Sequence, residues 1–354
     1  MQFMIEDFEP DIDRVRMAVA HRMPDRVPNV EMFVSPVVRE ALLGRPPQTG
    51  LAGELEYRTQ WGYDFLYIVP SYKTPPVYSH DKNNGNSVDG REWRELHGSM
   101  ITDWNSFRSY SYPAPGSLCL EELREAVRLA ETLPGNVGVG CLMPSAPFME
   151  VCLLMGYERF AVTLHEDFEL CRAVVDVIGR TGVGNMEQLC QEKGVDFILY
   201  GDDMAYTGGM MISPAMMREL FFPWYRQFIA TARDAGKMIF FHSDGDIRPV
   251  IPDFIDAGLQ GLNPIEPLAM DIVELKQQYG DKIALIGNID VDLLARGTPG
   301  QVEAQVHERI AQLAPGGGYM LASSNSICDY VRPENYVAML EAGETVTSSL
   351  RFQF

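Results

Sequence analysis

The stretch KMIFFHSDGDIRPVIPDFIDAGLQGLNPIE, residues 237–266, restricts the fold more than any other part of the chain. Residues 238–241 form a wholly apolar run after Asp234-Ala235-Gly236, the pattern of a strand buried on both faces of a parallel sheet. The run stops at His242-Ser243-Asp244-Gly245-Asp246. Ile247, Val250, Ile251, Phe254 and Ile255 then recur at helical spacing up to Gly258, a C-terminal stop. Residues 259–263 open the next strand, which ends in Pro264-Ile265-Glu266. Strand, polar turn, helix and strand make one βαβ unit. Its ligand-capable side chains fall where the strands run out, the edge at which α/β folds build their sites.

The same alternation runs through the chain. Strands are expected near residues 27, 63, 137, 195, 238, 259, 282 and 318, separated mostly by helices such as 121–133, 167–193, 215–234 and 299–313. No GxGxxG follows a strand and there is no P-loop. Eight units without a dinucleotide fingerprint favour a (β/α)8 barrel over a doubly wound sheet. Residues 70–115 break the pattern, with many Tyr, Ser, Asn and Pro and little periodicity. So long an irregular segment reads as an insertion or lid after the second strand, holding a small hairpin. Residues 1–354 are thus expected to form a single barrel domain carrying that insertion.

A net charge of −20 and the lack of any Lys/Arg block argue against a nucleic-acid partner. No apolar run reaches the roughly 18 residues that span a bilayer. The acidic start MQFMIEDFEPDIDR has no basic region typical of a secretory signal, and six cysteines lie scattered without CxxC pairs. Reduced thiols and a cytoplasmic location are the expectation.

A barrel would gather Glu31, Asp202, Asp203, His242, Asp244, Glu266, Asn288, Asp290 and Asn325 on its strand-end face. His242 and Asp244, two residues apart at a strand end, can face the same side. An imidazole, carboxylates and the thiol of Cys328 together make a zinc-type donor set. Alternatives stay open: His242 packed against a backbone carbonyl, Cys328 as a small apolar core residue, Asp244 and Asp246 as caps of the helix that begins near Ile247. The Asp202-Asp203 pair can bind substrate, act as a base or join the metal, or only cap a loop. Met204, Met210, Met211, Met216 and Met217 are expected to fill core space. Tyr72, Tyr78, Trp93, Tyr110 and Tyr112 of the insertion are placed to close over a flat ligand or to pack among themselves. No GxSxG precedes a helix, so a hydrolase triad has no support.

Several segments in order resemble the uroporphyrinogen decarboxylase superfamily: DRVRMAVAHRMPDRVPNVEMF, YGDDMAYTGGMMISPAMMRELFFPWYRQF, FHSDGDIRPVIPDFIDAGLQGLNPIEP, DKIALIGNID and GGGYMLASSNSICDYVRPENY. The resemblance covers nearly the whole chain from about Asp11. It implies a (β/α)8 barrel and either porphyrinogen decarboxylation or zinc-dependent methyl transfer with a corrinoid protein. The decarboxylases carry an Arg-rich segment of the type MRQAGRY, whereas EMFVSPVVREALLG stands here. The corrinoid-linked methyltransferases carry a His-x-Cys pair and a later Cys that hold zinc. His242 matches the His, Asp244 replaces the first Cys, Glu266 stands where a carboxylate ligand is expected, and Cys328 lies near the second Cys.

The exchange of Cys for Asp makes the site harder, better suited to polarising an ether oxygen than to activating a thiol. The resemblance therefore implies a zinc-assisted methyltransferase of an anaerobic O-demethylation system, moving methyl from a small methoxylated, plausibly aromatic, donor to the Co(I) of a corrinoid (cobalamin) protein. Zinc would sit on His242, Asp244, Glu266 and Cys328. Asp203 and Tyr206 would orient or protonate, and Glu31, Asp202 and Asn288 would bind substrate. The competing expectation is a cofactor-free decarboxylase of a carboxylated substrate. A homodimer is left open.

Overall fold

The computed structural model describes residues 8–77, 86–88, 91–93 and 99–350. Seven parallel strands form one sheet: β1 (Phe65–Ile68), β2 (Gly138–Met143), β3 (Phe197–Gly201), β4 (Met238–His242), β5 (Gly261–Asn263), β6 (Ala284–Ile286) and β7 (Tyr319–Met320). They follow one another in chain order, each with its neighbour in sequence, and helices cover the outside. The eighth position is taken by residues 28–34. This segment was expected as a regular first strand, but it makes only isolated parallel bridges, Asn29 with Leu321 and Val34 with Ile327. On its other side, Asn29 donates to the Gly62 carbonyl (3.4 Å) and Arg58 to the Glu31 carbonyl (3.2 Å). The ring is an α/β barrel of the (β/α)8 kind, with one wall stitched by side chains. Pro28 and Pro36 flank that segment, and proline cannot donate to a ladder.

The lower half of the barrel is a plug of aromatic rings. Phe197 meets Phe65 edge-on at 4.9 Å and Phe240 at 5.2 Å. Gly140 exists to admit it, since a Cβ there would lie 2.0 Å from a Phe197 ring atom. Each such ring, fully buried, stabilises the fold by about 1.5–3 kcal/mol. Strand periodicity then sorts the next residues. Tyr200 and Phe241 turn outward onto Tyr225 of the helix Phe222–Asp234. Leu199 and Gly201, of the same parity as Phe197, face the space above the plug.

Two expectations change in detail. The helix expected over 215–234 is two, Pro214–Leu220 and Phe222–Asp234, because Pro223 has no N–H to give and its ring crowds the preceding turn. A helix also occupies Gly50–Gln60, a segment that carried no helical expectation in the sequence. The insertion is stitched at its base by Ser71–Tyr72 pairing with Leu118–Cys119, and it holds the short pairing of Asn86–Val88 with Arg91–Trp93. It also holds the helix Trp104–Ser109, capped by Asp103. Among the described residues no helix is long and apolar enough to cross a membrane.

Candidate active site

At the C-terminal end of β4, His242 shares the parity of Phe240 and so points into the barrel. Its Nδ1 lies 2.6 Å from Asn263 Oδ1, at the position paired with it on β5. The Asn263 amide nitrogen donates to the Ile286 carbonyl at 3.3 Å, which fixes the amide so that Oδ1 must accept. In the neutral imidazole this places the proton on Nδ1 and leaves a lone pair on Nε2, the form in which histidine ligates a metal.

Nε2 faces two carboxylates: Asp244 Oδ1 at 3.7 Å and Asp203 Oδ1 at 3.9 Å. The three residues bring one donor atom each within 4.8 Å of one another, spacing that a single cation can span. The turn between β4 and its helix is rigidly placed. The backbone N–H of Asp244 donates to Asp203 Oδ1 (3.0 Å), and Asn325 holds Asp244 Oδ2 (2.7 Å). Gly245 has φ of 81°, and a Cβ there would lie 2.4 Å from the Tyr206 backbone nitrogen, so only glycine lets the turn press on that hairpin.

The arrangement fits a cation. Asp244 Oδ1 is buried without a hydrogen-bond partner, and burial raises its carboxyl above the usual range although the facing imidazole pulls it down. An orphaned buried carboxylate oxygen aimed at an imidazole lone pair is costly as it stands and becomes satisfied with a metal between them.

Above the cluster opens a cavity of about 320 Å³. Tyr67, Leu142, Met143, Leu199 and Met149 line it with Phe33 and Val69, while Gly201, Asp203 and His242 line its polar part. Among the described residues, its lining holds no Arg or Lys. Phe33, Val69 and Met149 are partly exposed, so the mouth is rimmed with apolar surface. Leu268 and Tyr330, in the loops after β5 and β7, stand exposed as well.

Of the other residues singled out in the sequence, Asn325 reaches the cluster through Asp244 and the rest do not join it. Glu266 is turned to the Gly245 N–H (3.0 Å) and Thr207 (3.5 Å), and neither it nor the buried Cys328 joins the three-residue cluster, in which Asp203 takes part instead. Asp202 is wholly buried on the opposite face of its strand from Asp203. It accepts from the N–H groups of Phe148 and Met149 (both 2.8 Å) and from the Tyr225 hydroxyl (2.7 Å). Burial still pushes its carboxyl up to about 7.

Glu31 is buried in the wall, accepting from the Ser323 N–H at 2.8 Å, and burial likewise pushes it up to about 7. Asn288, also buried, donates to the Ile265 carbonyl at 2.9 Å. None of these three lines the cavity. Tyr206 stands 60% exposed on its hairpin, outside the cavity lining. Asp290 and Asp246 serve the helices that follow them, accepting from Asp292 N and Arg248 N.

The Tyr72 hydroxyl bonds Ser145, a residue of the cavity lining, and Tyr110 and Tyr112 pack edge to face on each other, while none of the three lines the cavity itself; Tyr78 and the side chain of Trp93 lie outside the described residues. Met204 and Met217 are buried, as expected of core filling, and the cavity uses Met32, Met143 and Met149. Sequence reasoning missed Asn263. Its signal was its place at a strand end beside His242.

A family model described as Uroporphyrinogen decarboxylase (URO-D) matches residues 96–346. The chain is 30% identical over 73 residues to a uroporphyrinogen decarboxylase of Nitrosospira multiformis, a match covering 21% of this chain. It spans only 20% of the length of that relative. A solved structure of a methyltransferase from Methanosarcina mazei superposes with a TM-score of 0.70 at 18% identity, covering 96% of this chain and 99% of that one.

Proposed function

The chain belongs to the uroporphyrinogen decarboxylase family, and from that premise we propose that it is a corrinoid-dependent methyltransferase, taking methyl from a small methoxylated donor, aromatic by preference. The observation that carries this reading is the pairing of an apolar cavity with a cation-ready cluster at its polar end. A porphyrinogen presents many carboxylates, and a wall without Arg or Lys among its described residues has nothing to hold them. A methoxy-bearing ring, by contrast, is mostly apolar, with one oxygen to be placed near Asp203 and His242. The superposition on a methyltransferase agrees with that choice.

His242, Asp203 and Asp244 would hold the metal, taken as Zn²⁺. When bound, zinc supplies Lewis acidity toward the ether oxygen of the donor. The rest follows from the chain's own residues. Asn263 keeps the His242 lone pair aimed inward, and Asn325 and the Asp244 backbone keep the two carboxylates apart and oriented. The apolar wall excludes water around the scissile bond, which strengthens every charge interaction within. With a corrinoid docked, its Co(I) would take the methyl group, the bonding electrons would remain on the donor oxygen and solvent would protonate that oxygen on release, while Asp203, at the junction of cavity and cluster, would hold the metal beside it. A corrinoid is too large for about 320 Å³, so its carrier protein must dock on the rim of Phe33, Val69, Met149, Leu268 and Tyr330.

The test is incubation of the zinc-loaded protein with methoxybenzene and free cob(I)alamin, following methylcobalamin by absorbance and the freed phenol by chromatography. Growth of both products supports the reading. Carbon dioxide released from a carboxylated substrate, with no methyl transfer, would replace it by the decarboxylase alternative.

A further inference from the structure

Ser145 also belongs to the cavity wall, two residues beyond the end of β2, and it is only 2% exposed. Its hydroxyl is one of three groups that hold one another. Asn185, wholly buried on the helix Phe168–Cys190, accepts from the Gly116 N–H through Oδ1 at 3.1 Å, which makes Nδ2 its donating side. Nδ2 then gives one hydrogen to Ser145 Oγ (2.9 Å) and the other to the Tyr72 hydroxyl (3.1 Å). The two hydroxyls lie 2.9 Å apart and share one bond.

Two hydroxyls carry two protons, and the bond between them uses one. Among the described residues no acceptor takes the other. Were Ser145 the donor, the surplus O–H would be the phenol's, and Tyr72 is no part of the cavity lining. With Tyr72 as the donor, the surplus O–H is that of Ser145 and has the cavity before it. The second arrangement is the better one, since an unpaired buried donor is costly and each donor in the row Asn185, Tyr72, Ser145 polarises the next.

The place of this O–H restricts what it can meet. Met143 of β2 pairs with Tyr200 of β3, and Gly201 of β3 with His242 of β4. Two strand spacings, about 10 Å of wall, therefore separate Ser145 from His242. A ligand touching both carries its second polar atom away from the reacting ether. With no Arg or Lys among the described lining residues, that atom is a neutral oxygen rather than a carboxylate.

We propose that Ser145 is a specificity-determining residue whose O–H binds a neutral acceptor oxygen carried meta or para to the reacting ether. The donor class is then a methoxyarene with a second ether or carbonyl oxygen rather than a bare methoxybenzene. Asn185 and Tyr72 hold the serine in place. This assignment rests on the methyl-transfer reading above for the identity of the reacting group, but not for the binding itself.

Isosteric pairs test it in the zinc-loaded full chain: 1,4-dimethoxybenzene against 1-ethyl-4-methoxybenzene, and the corresponding 1,3 pair. In each, a methylene replaces the second oxygen. With cob(I)alamin as acceptor, the dimethoxy member of at least one pair should have the higher kcat/KM by about tenfold, chiefly through KM. Ser145→Ala should erase that preference. Tyr72→Phe leaves Ser145 its Asn185 bond and its O–H, and should keep most of it. Three results overturn the assignment: no preference in the wild type at either ring position, a preference that survives in Ser145→Ala, or one lost as fully in Tyr72→Phe.

Calorimetry of the same pairs without any acceptor separates this assignment from the reaction. The wild type should bind the dimethoxy compound about tenfold more tightly than its ethyl counterpart. If that difference is found and no methyl moves, the methyl-transfer reading fails and the role of Ser145 stands. If methyl moves and the two compounds bind alike, the reading stands and Ser145 is only part of the wall.

Discussion

Asp202 and Asp203 are adjacent, chemically identical, and live in different parts of the molecule. Asp203 follows Leu199 and Gly201 on the inner face of β3 and reaches the cavity, beside an imidazole and a second carboxylate. Asp202 follows Tyr200 on the outer face and disappears behind the wall, where three donors occupy it. The same division runs around the barrel. His242 and Asp244 face inward with an unspent lone pair and an orphaned oxygen, while Glu31 is buried and accepts from the Ser323 N–H, and Asn288 spends its amide N–H on the Ile265 carbonyl although its own Oδ1 has no partner. The period of two along a strand therefore separates groups left poised for a ligand from groups consumed in holding the rim together.

The largest effect should come from the poised group. His242→Ala removes the only nitrogen donor of the cluster, so zinc content by metal analysis should fall. Methyl transfer to cob(I)alamin should drop by at least about the 100-fold that losing a mere outer partner of a metal ligand can cost. Retained zinc together with unchanged transfer would place the metal chemistry elsewhere.

A sharper contrast comes from treating the two neighbours alike. Asp202→Asn turns an amide N–H toward backbone donors and leaves buried groups unpaired, a loss of about 2–3 kcal/mol in unfolding free energy by denaturant titration. Asp203→Asn, on a partly exposed side chain, should stay within about 0.5 kcal/mol in stability yet lose zinc and activity. If both variants lose stability equally, the inside–outside division does not hold.

Smaller still is a dependence on pH. Burial pushes Glu31 from 4.5 up to about 7 and Asp202 from 3.8 up to about 7. The folded state then holds protons that the unfolded chain releases from about pH 4 upward. The contribution of these two groups to stability should be greatest below that point and decline as pH rises toward about 7, by on the order of 1 kcal/mol per pH unit for each group. Glu31→Gln should flatten the part of that slope due to Glu31 in urea titrations at pH 5, 6 and 7. An unchanged slope would mean that Glu31 is ionised in the folded chain throughout.

The barrel was legible because its signals are local: apolar runs of strand length, helical spacing after them, glycine stops, and no phosphate loop. His242, Asp203 and Asp244 were legible as residue types at strand ends. What the sequence did not separate was Asp203 from Asp202, since the parity of a strand is known only once one inward residue is identified. Phe197 supplies that anchor, and only the packing of Phe65 and Phe240 around it shows which way it points. Which carboxylates lie nearest His242 was not legible for a related reason. Glu266 stands at a strand end, as expected, but its carboxylate is taken by the Gly245 N–H across the rim, a contact between distant turns that no spacing encodes. The walls of the cavity come from four separate strand ends and from residues 32 and 33, so their assembly depends on closure of the whole ring.

The smallest effect is expected where sequence reasoning had placed a proton donor. Tyr206 is 60% exposed, and its hairpin serves the site through backbone: the Tyr206 carbonyl accepts from Asp246 N at 3.0 Å, and its amide lies against Gly245. Removing the hydroxyl leaves all of that in place. Tyr206→Phe should therefore change kcat/KM with methoxybenzene and cob(I)alamin less than about twofold, as for surface changes away from a site. The double glycine Gly208-Gly209, which lets that hairpin turn, marks the alternative outcome. A loss of about tenfold or more in Tyr206→Phe would mean that the hairpin swings inward over a bound donor and brings the phenol with it. The division between poised and consumed groups would then describe only the ligand-free molecule.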